Sequence, residues 1–163
     1  MQALLKFLLF SAACVLTILC ISSILNPIRF DSEREKRELF VLQRMNCIRE
    51  AERIFFEKNG YYTNNFDALE AIVKSDSIFL KQQNAFCPPD SMRYIPFSNG
   101  KVFILQTGET TDLSGKSKNA FELKAPFELY LKGMNKHETA RLTLNVMQTG
   151  DYPGLRLNSS SEH

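Results

Sequence analysis

Three hydrophobic regimes follow one another along this chain. From Phe7 to Leu25 there are nineteen residues without a charge. At about 1.5 Å per residue a helix of that length spans roughly 28 Å, close to the hydrocarbon thickness of a bilayer. Lys6 stands just outside the run, where its stem can reach the interface, and Asn26-Pro27 ends it. The pattern predicts a transmembrane anchor over 1–26. Two rival readings have their own signals. A cleaved signal peptide would use Ser22-Ser23 as a weak small-residue site. A lipoprotein would use Ser11-Ala12-Ala13-Cys14, but Cys14 is followed by more of the apolar run rather than a polar tether.

The second regime is amphipathic. After a Pro27 interruption, residues 31–59 contain no Pro or Gly. Val41, Met45, Ile48 and Phe55 share one helical face, which Phe40, Cys47, Ala51 and Ile54 widen. Gln43, Arg44, Arg49, Glu50, Arg53, Glu57 and Lys58 occupy the other. Glu33/Arg37 and Arg34/Glu38 have the spacing of supporting ion pairs. Asn59-Gly60 is a helix stop.

The third regime is a series of short runs. Asn64 or Asn65 can cap a helix reaching about Lys74, with Phe66, Leu69, Ile72 and Val73 inward. Residues 75–90 read as irregular. Met92–Phe97 and Lys101–Thr107 flank Ser98-Asn99-Gly100, a hairpin signal. Residues 108–119 read as a solvent loop. Ala120–Ala125 and Phe127–Lys132 read as strands broken at Pro126. Residues 137–148 fit two templates: Leu142, Leu144 and Val146 alternate like a strand, whereas Asn135 and Glu138 resemble a capping box. Tyr152-Pro153-Gly154 is a turn. The expected fold is α+β. A transmembrane helix continues into a long amphipathic helix packed on a small antiparallel sheet, with a domain over 27–158 and a loose tail over 159–163.

Composition narrows the chemistry. Lys and Arg number 20 against 18 Asp and Glu, which leaves no basic footprint for nucleic acid. Two His and four Cys are too few and too scattered for a metal-site motif. Asp112, Glu109 and Glu122 lack calcium-loop spacing. His137 neighbours Glu138, with no nucleophile motif beside them. The reading is of a protein that is not an enzyme, with no catalytic residue, no metal and no cofactor. Phe55, Phe56, Tyr61, Tyr62 and Phe66 read first as helix–loop core. The exposed members of Phe55, Phe56, Tyr61 and Tyr62 are candidates for a partner surface. Orientation from charge favours a cytoplasmic domain, because Arg29, Arg34, Lys36 and Arg37 follow the apolar run and only Lys6 and the α-amine precede it.

The stretch Ile48–Tyr62, in which Ala51-Glu52 and aromatic residues precede Gly60-Tyr61-Tyr62, resembles the type IV pilin and pseudopilin class. More of the chain resembles a family of uncharacterised single-pass envelope proteins of Bacteroidetes. The matching residues are Pro27-Ile28-Arg29-Phe30, Asn65-Phe66-Asp67, Arg93-Tyr94-Ile95-Pro96-Phe97, Ala125-Pro126-Phe127-Glu128 and Tyr152-Pro153-Gly154-Leu155. The first resemblance implies a membrane-inserted helix whose second half packs on a four-stranded sheet. The second implies an inner-membrane protein with its C-terminal domain in the periplasm, and it brings no established biochemical function with it. The N-terminus lacks the Gly of a prepilin cleavage site, and the apolar run lacks a Glu, so the resemblance is to the fold rather than to processing or polymerisation.

In an oxidising periplasm Cys47 and Cys87 could pair, tying the long helix to the segment before the sheet. A buried free thiol at Cys47 is the alternative, since Cys47 lies in the apolar face. Cys14 and Cys20 read as apolar fillers of the membrane helix. Two functions are consistent with these features. One is a non-catalytic assembly or scaffold subunit in the bilayer, contacting other envelope proteins or itself. The other is a membrane-tethered periplasmic binding module for a lipid, peptide or glycan.

Overall fold

A computed structural model describes residues 2–75, 88–111, 115 and 117–159. The chain divides into two units, Met1–Glu35 and Lys36–His163. The first unit is helical. Helix α1 is assigned over Gln2–Asn59 and so begins here and ends in the second unit. Its large apolar side chains from Phe7 to Leu25 are exposed wherever they are described, Phe7 at 76% and Ile18 at 63%. This one helix near the N-terminus is long and apolar enough to cross a membrane, by length and composition.

The interruption expected at Pro27 does not occur, and Pro27 lies inside α1. Proline removes one helical N–H and crowds the carbonyl four residues back, at a cost of about 3 kcal/mol. The good helix formers that follow, Glu33 to Leu39, continue the ladder past that single gap.

In the second unit α1 buries the face that its periodicity predicts. Val41, Met45, Ile48 and Ala51 are fully buried, with Ile54 and Phe55 at 7%. Phe40 departs from the expectation: it is 42% exposed. Gly60, at φ +79°, ends the helix, and its N–H donates to the Phe56 carbonyl at 2.7 Å. Helix α2, Phe66–Ser75, is capped by Asn65, whose Oδ1 accepts the Asp67 N–H at 2.9 Å. Phe66, Leu69 and Val73 face the core. Arg93 binds Glu70 at 2.7 Å and also Asp67, which fastens α2 to the segment after the short helical turn Pro89–Ser91.

The sheet has three antiparallel strands in the order β1-β2-β3: Ile104–Thr111, Ser117–Pro126 and Gly154–Asn158. The expected hairpin around Asn99-Gly100 narrows to one bridge, Tyr94 to Val102. The 108–119 region is not the expected solvent loop. Its two ends are strand, paired from Gly108↔Ala120 to Thr111↔Ser117. The polar side chains of Gly108–Thr111 are exposed, so no apolar alternation marks the strand. Phe127–Tyr130 is a helical turn, α3, and not a strand. Pro126 ends β2 with extended backbone, and a turn of helix then lets Phe127 and Tyr130, three apart, both be buried. The ambiguity at 137–148 resolves as helix α4, Lys136–Gln148. The Asn135 side chain accepts the N–H of His137 at 3.0 Å and of Glu138 at 3.4 Å. β3 follows the Tyr152-Pro153 turn and ends one residue before Ser159, whose N–H donates to the Phe121 carbonyl at 3.0 Å.

Alternation places Phe121, Leu123, Ala125 and Leu157 on the buried face of the sheet. Together with the apolar face of α1, Met92, Phe103, Tyr130 and Leu131, they form the core of this unit. The fold is thus mixed: a long helix with a small three-stranded antiparallel sheet.

Candidate functional site

The residues that end α1 build the most elaborate local structure in the second unit. After Gly60 the chain turns back, and Tyr61 and Tyr62 lie against the helix they have just left. Phe56 and Tyr62 stack with ring centroids 4.6 Å apart. Phe55 meets Tyr61 edge-on at 5.6 Å, and Tyr62 meets Phe121 of β2 at 5.0 Å. Asn119 donates from Nδ2 to the Gly60 carbonyl at 3.2 Å. Of the four aromatics singled out in the sequence, Phe55 is buried, Phe56 and Tyr62 are half-buried and Tyr61 is 54% exposed. The cluster therefore joins helix, turn and sheet, and presents Tyr61 outward.

Beneath this turn lies a residue that the periodicity did not single out. Glu52 is fully buried. Its Oε2 accepts the Thr63 backbone N–H at 3.2 Å, and its Oε1 has no hydrogen-bond partner. Burial pushes the carboxyl pKa up to about 7, against a smaller downward effect of the Thr63 bond. The position of Glu52 between Ile48 and Phe55, on the buried face, is the available signal.

Two open concavities adjoin the turn. The larger, about 600 Å³, is lined by Asn64, Gln106, Gly108, Glu109, Glu122 and Asn158 among others. The smaller, about 190 Å³, lies between Tyr61, Tyr62, Thr107, Glu109 and Asn119. Both include Gly108 and Ala120, which are directly paired, so two minimal side chains face each other between larger neighbours. The carboxylates are already engaged. Glu109 accepts from Ser117 Oγ at 2.6 Å, and Glu122 pairs with Lys124 at 2.5 Å and with Arg156 at 3.8 Å. The rest of the lining is made of amides, hydroxyls and phenol rings, of which Asn119 is bonded to the Gly60 carbonyl and Gln106 to Lys124.

A third feature is an exposed aromatic pair. Phe40 and Phe97 meet edge-on at 5.8 Å, and the Arg37 guanidinium lies 4.9 Å from the Phe97 ring centre. Phe97 has φ +63°, a backbone region that bulky residues seldom occupy. The turn is held by Ser98, buried, whose Oγ donates to the Ile95 carbonyl at 2.7 Å and accepts the Lys101 N–H at 3.0 Å. The sequence marks this turn by Asn99-Gly100, but not the pairing of its Phe97 with Phe40. A fourth feature, an open groove of about 490 Å³, runs between α3 and α4, lined by Leu131, Met134, Thr143 and Leu144 with Lys132 and Lys136 at its edge.

Cys47 is disulfide-bonded, and Cys87 lies outside the described residues. Cys14 and Cys20 are free thiols. His137 is exposed on α4, and Glu138 beside it pairs with Arg141 at 2.7 Å. Among the described residues no group of three or more His, Cys, Asp or Glu gathers as a metal site would require. Compared with protein-family models, curated proteins and solved structures, the chain matches none of them.

Proposed function

We propose that this chain is a single-pass protein of the inner membrane whose pilin-like domain faces the periplasm and serves as a non-catalytic assembly or scaffold subunit. One observation carries the reading: α1 leaves its described apolar residues between Phe7 and Leu25 exposed, yet supplies Val41, Met45 and Ile48 to the domain core. Lipid is the environment that suits the first stretch, and the domain is then bound to its anchor through its own central helix. The exposed Phe40 and Phe97, beside Arg37, give the domain an apolar contact surface of the kind that partners cover. Partners of the subunit are other envelope proteins or further copies of the chain.

The concavities beside Tyr61 and Tyr62 favour a second reading, a membrane-tethered module that binds a lipid, peptide or glycan. Extraction from native membranes in mild detergent separates the two. A stoichiometric complex with other envelope proteins, or a defined oligomer, supports the scaffold subunit. A monomer that retains only a small ligand overturns it in favour of the tethered module. Protease accessibility of the C-terminal domain in spheroplasts tests the orientation.

A further inference from the structure

We infer that Glu52 is a proton-operated latch on the Gly60–Asn65 turn: its protonated carboxyl keeps the turn closed on α1, and its ionisation opens the turn to water. The geometry is that of a closed latch with one end unfastened. Glu52 is fully buried, one carboxyl oxygen holds the Thr63 N–H, and the other touches no donor. A neutral carboxyl bears this arrangement at lower cost than a carboxylate, which would be sealed from water with a single donor.

The charged and titratable groups on the surrounding elements leave the carboxyl to itself. On α1, Arg53 is held between Glu50 and Glu57. On the turn stand the Tyr61 and Tyr62 phenols. On α2, Asp67 and Glu70 bind Arg93. On β2, Glu122 is paired with Lys124 and Arg156, and Lys118 is exposed. Burial and the Thr63 bond are the causes that displace the Glu52 pKa to about 7, and no neighbouring charge is among them.

Opening occurs at the turn because the turn is the lightly held side. Val41, Met45, Ile48 and Ala51 fix α1 in the core, whereas Gly60, Tyr61, Asn64 and Asn65 are exposed. Among the contacts that hold the turn are the Thr63 bond, the Gly60 N–H bond to the Phe56 carbonyl, the Asn119 bond to Gly60 and the ring contacts of Tyr61 and Tyr62. Tyr61 and Tyr62 line the smaller concavity and Asn64 the larger, so the turn that the proton controls borders each of them. The latch does not depend on which partner the domain engages.

The sign follows from linkage. In the closed state the pKa lies above the ordinary carboxyl value of 4.5, so the closed state holds the proton between that value and about 7. Across this window opening becomes about tenfold easier per pH unit, and above it the effect is constant. The test is hydrogen exchange of the amides of residues 60–65 in the full chain, in lipid nanodiscs from pH 5.0 to 8.5, corrected for intrinsic exchange. The expected result is an opening equilibrium that rises about 40-fold between pH 5 and 7, by a further factor of about two above that, and then levels. It should be flat in Glu52→Gln, with the β2 amides unchanged in both proteins. A flat profile in the wild type, the same slope in Glu52→Gln, or parallel opening of β2 would overturn the latch. Should Glu52→Gln fail to fold, the wild-type carboxyl is followed by carbon-13 NMR. A midpoint near 7 that moves with the turn resonances supports the proposal, and a midpoint below about 5 rejects it.

Discussion

Gly154 runs against Ala125 so closely that a Cβ built on the glycine would lie 2.2 Å from the Ala125 carbonyl oxygen. The obstacle is backbone, and Tyr152 closes the same space from the other side at 2.9 Å. This position opens β3, and Pro126↔Gly154 is the first pair of its ladder with β2. Gly154→Ala should therefore separate the start of β3 from β2, at a cost of about 2–4 kcal/mol in unfolding free energy. Urea unfolding of the two proteins reads the difference. A change under roughly 0.5 kcal/mol would show that the strand accommodates a methyl group by moving.

Arg37 fastens the beginning of the domain's helix to a chain segment more than ninety residues away. Its Nη1 donates to the carbonyl of Tyr130 at 3.1 Å and to that of Lys132 at 3.0 Å, at the end of α3. Tyr130 returns the contact through its hydroxyl, which donates to Glu38 Oε1 at 3.3 Å. Arg37→Ala leaves two carbonyls without their donor and uncovers Phe97, and should destabilise by about 1–3 kcal/mol. Arg37→Lys should recover only part of this, since a shorter, point-like ammonium lacks the planar guanidinium that lies over the Phe97 ring. Thermal unfolding of both variants, compared with Arg34→Ala, checks the order.

The cysteines should fall into two classes under alkylation. In unfolded, unreduced protein, Cys14 and Cys20 should label at once, and Cys47 and Cys87 only after reduction. Closing a loop of about 40 residues contributes roughly 4 kcal/mol in the entropy model, so Cys47→Ser should lower stability by a similar amount. Peptide mapping by mass spectrometry reads the labels. Immediate modification of Cys87 would reject the pairing.

Removing residues 1–25 should leave a soluble domain that unfolds in one cooperative step, because the buried apolar residues among those described, from Phe30 onward, are all retained. Coincidence of the far- and near-ultraviolet circular dichroism transitions is the check. A molten or insoluble product would place the domain boundary elsewhere.

The sequence was legible where burial and period coincide. Val41, Met45 and Ile48 identified the core face of α1, and Phe66, Leu69 and Val73 that of α2, because one side of each helix is dry. It was illegible where strands are wet. Residues 108–111 and 117–119 are strand through backbone pairing alone, and polar side chains carry no record of that. Phe127 and Tyr130 resemble a strand in the sequence for a different reason. Aromatic residues serve strand and helix alike, and only the spacing of the two buried rings decides between them. At the candidate site, Tyr61 and Tyr62 could be seen because they follow a helix stop. Glu52 could not, since a charged residue amid an apolar face is ordinarily assigned to solvent.

The polar character of β1 has one more effect. The strand stands at the end of the sheet order, and from Gln106 onward it offers Thr107, Gly108, Glu109, Thr110 and Thr111. An apolar, flat strand there would recruit any extended chain, including misfolded copies of its own kind. A glycine and a charged side chain in mid-strand discourage such indiscriminate accretion, so the domain can be crowded without seeding aggregates along that edge.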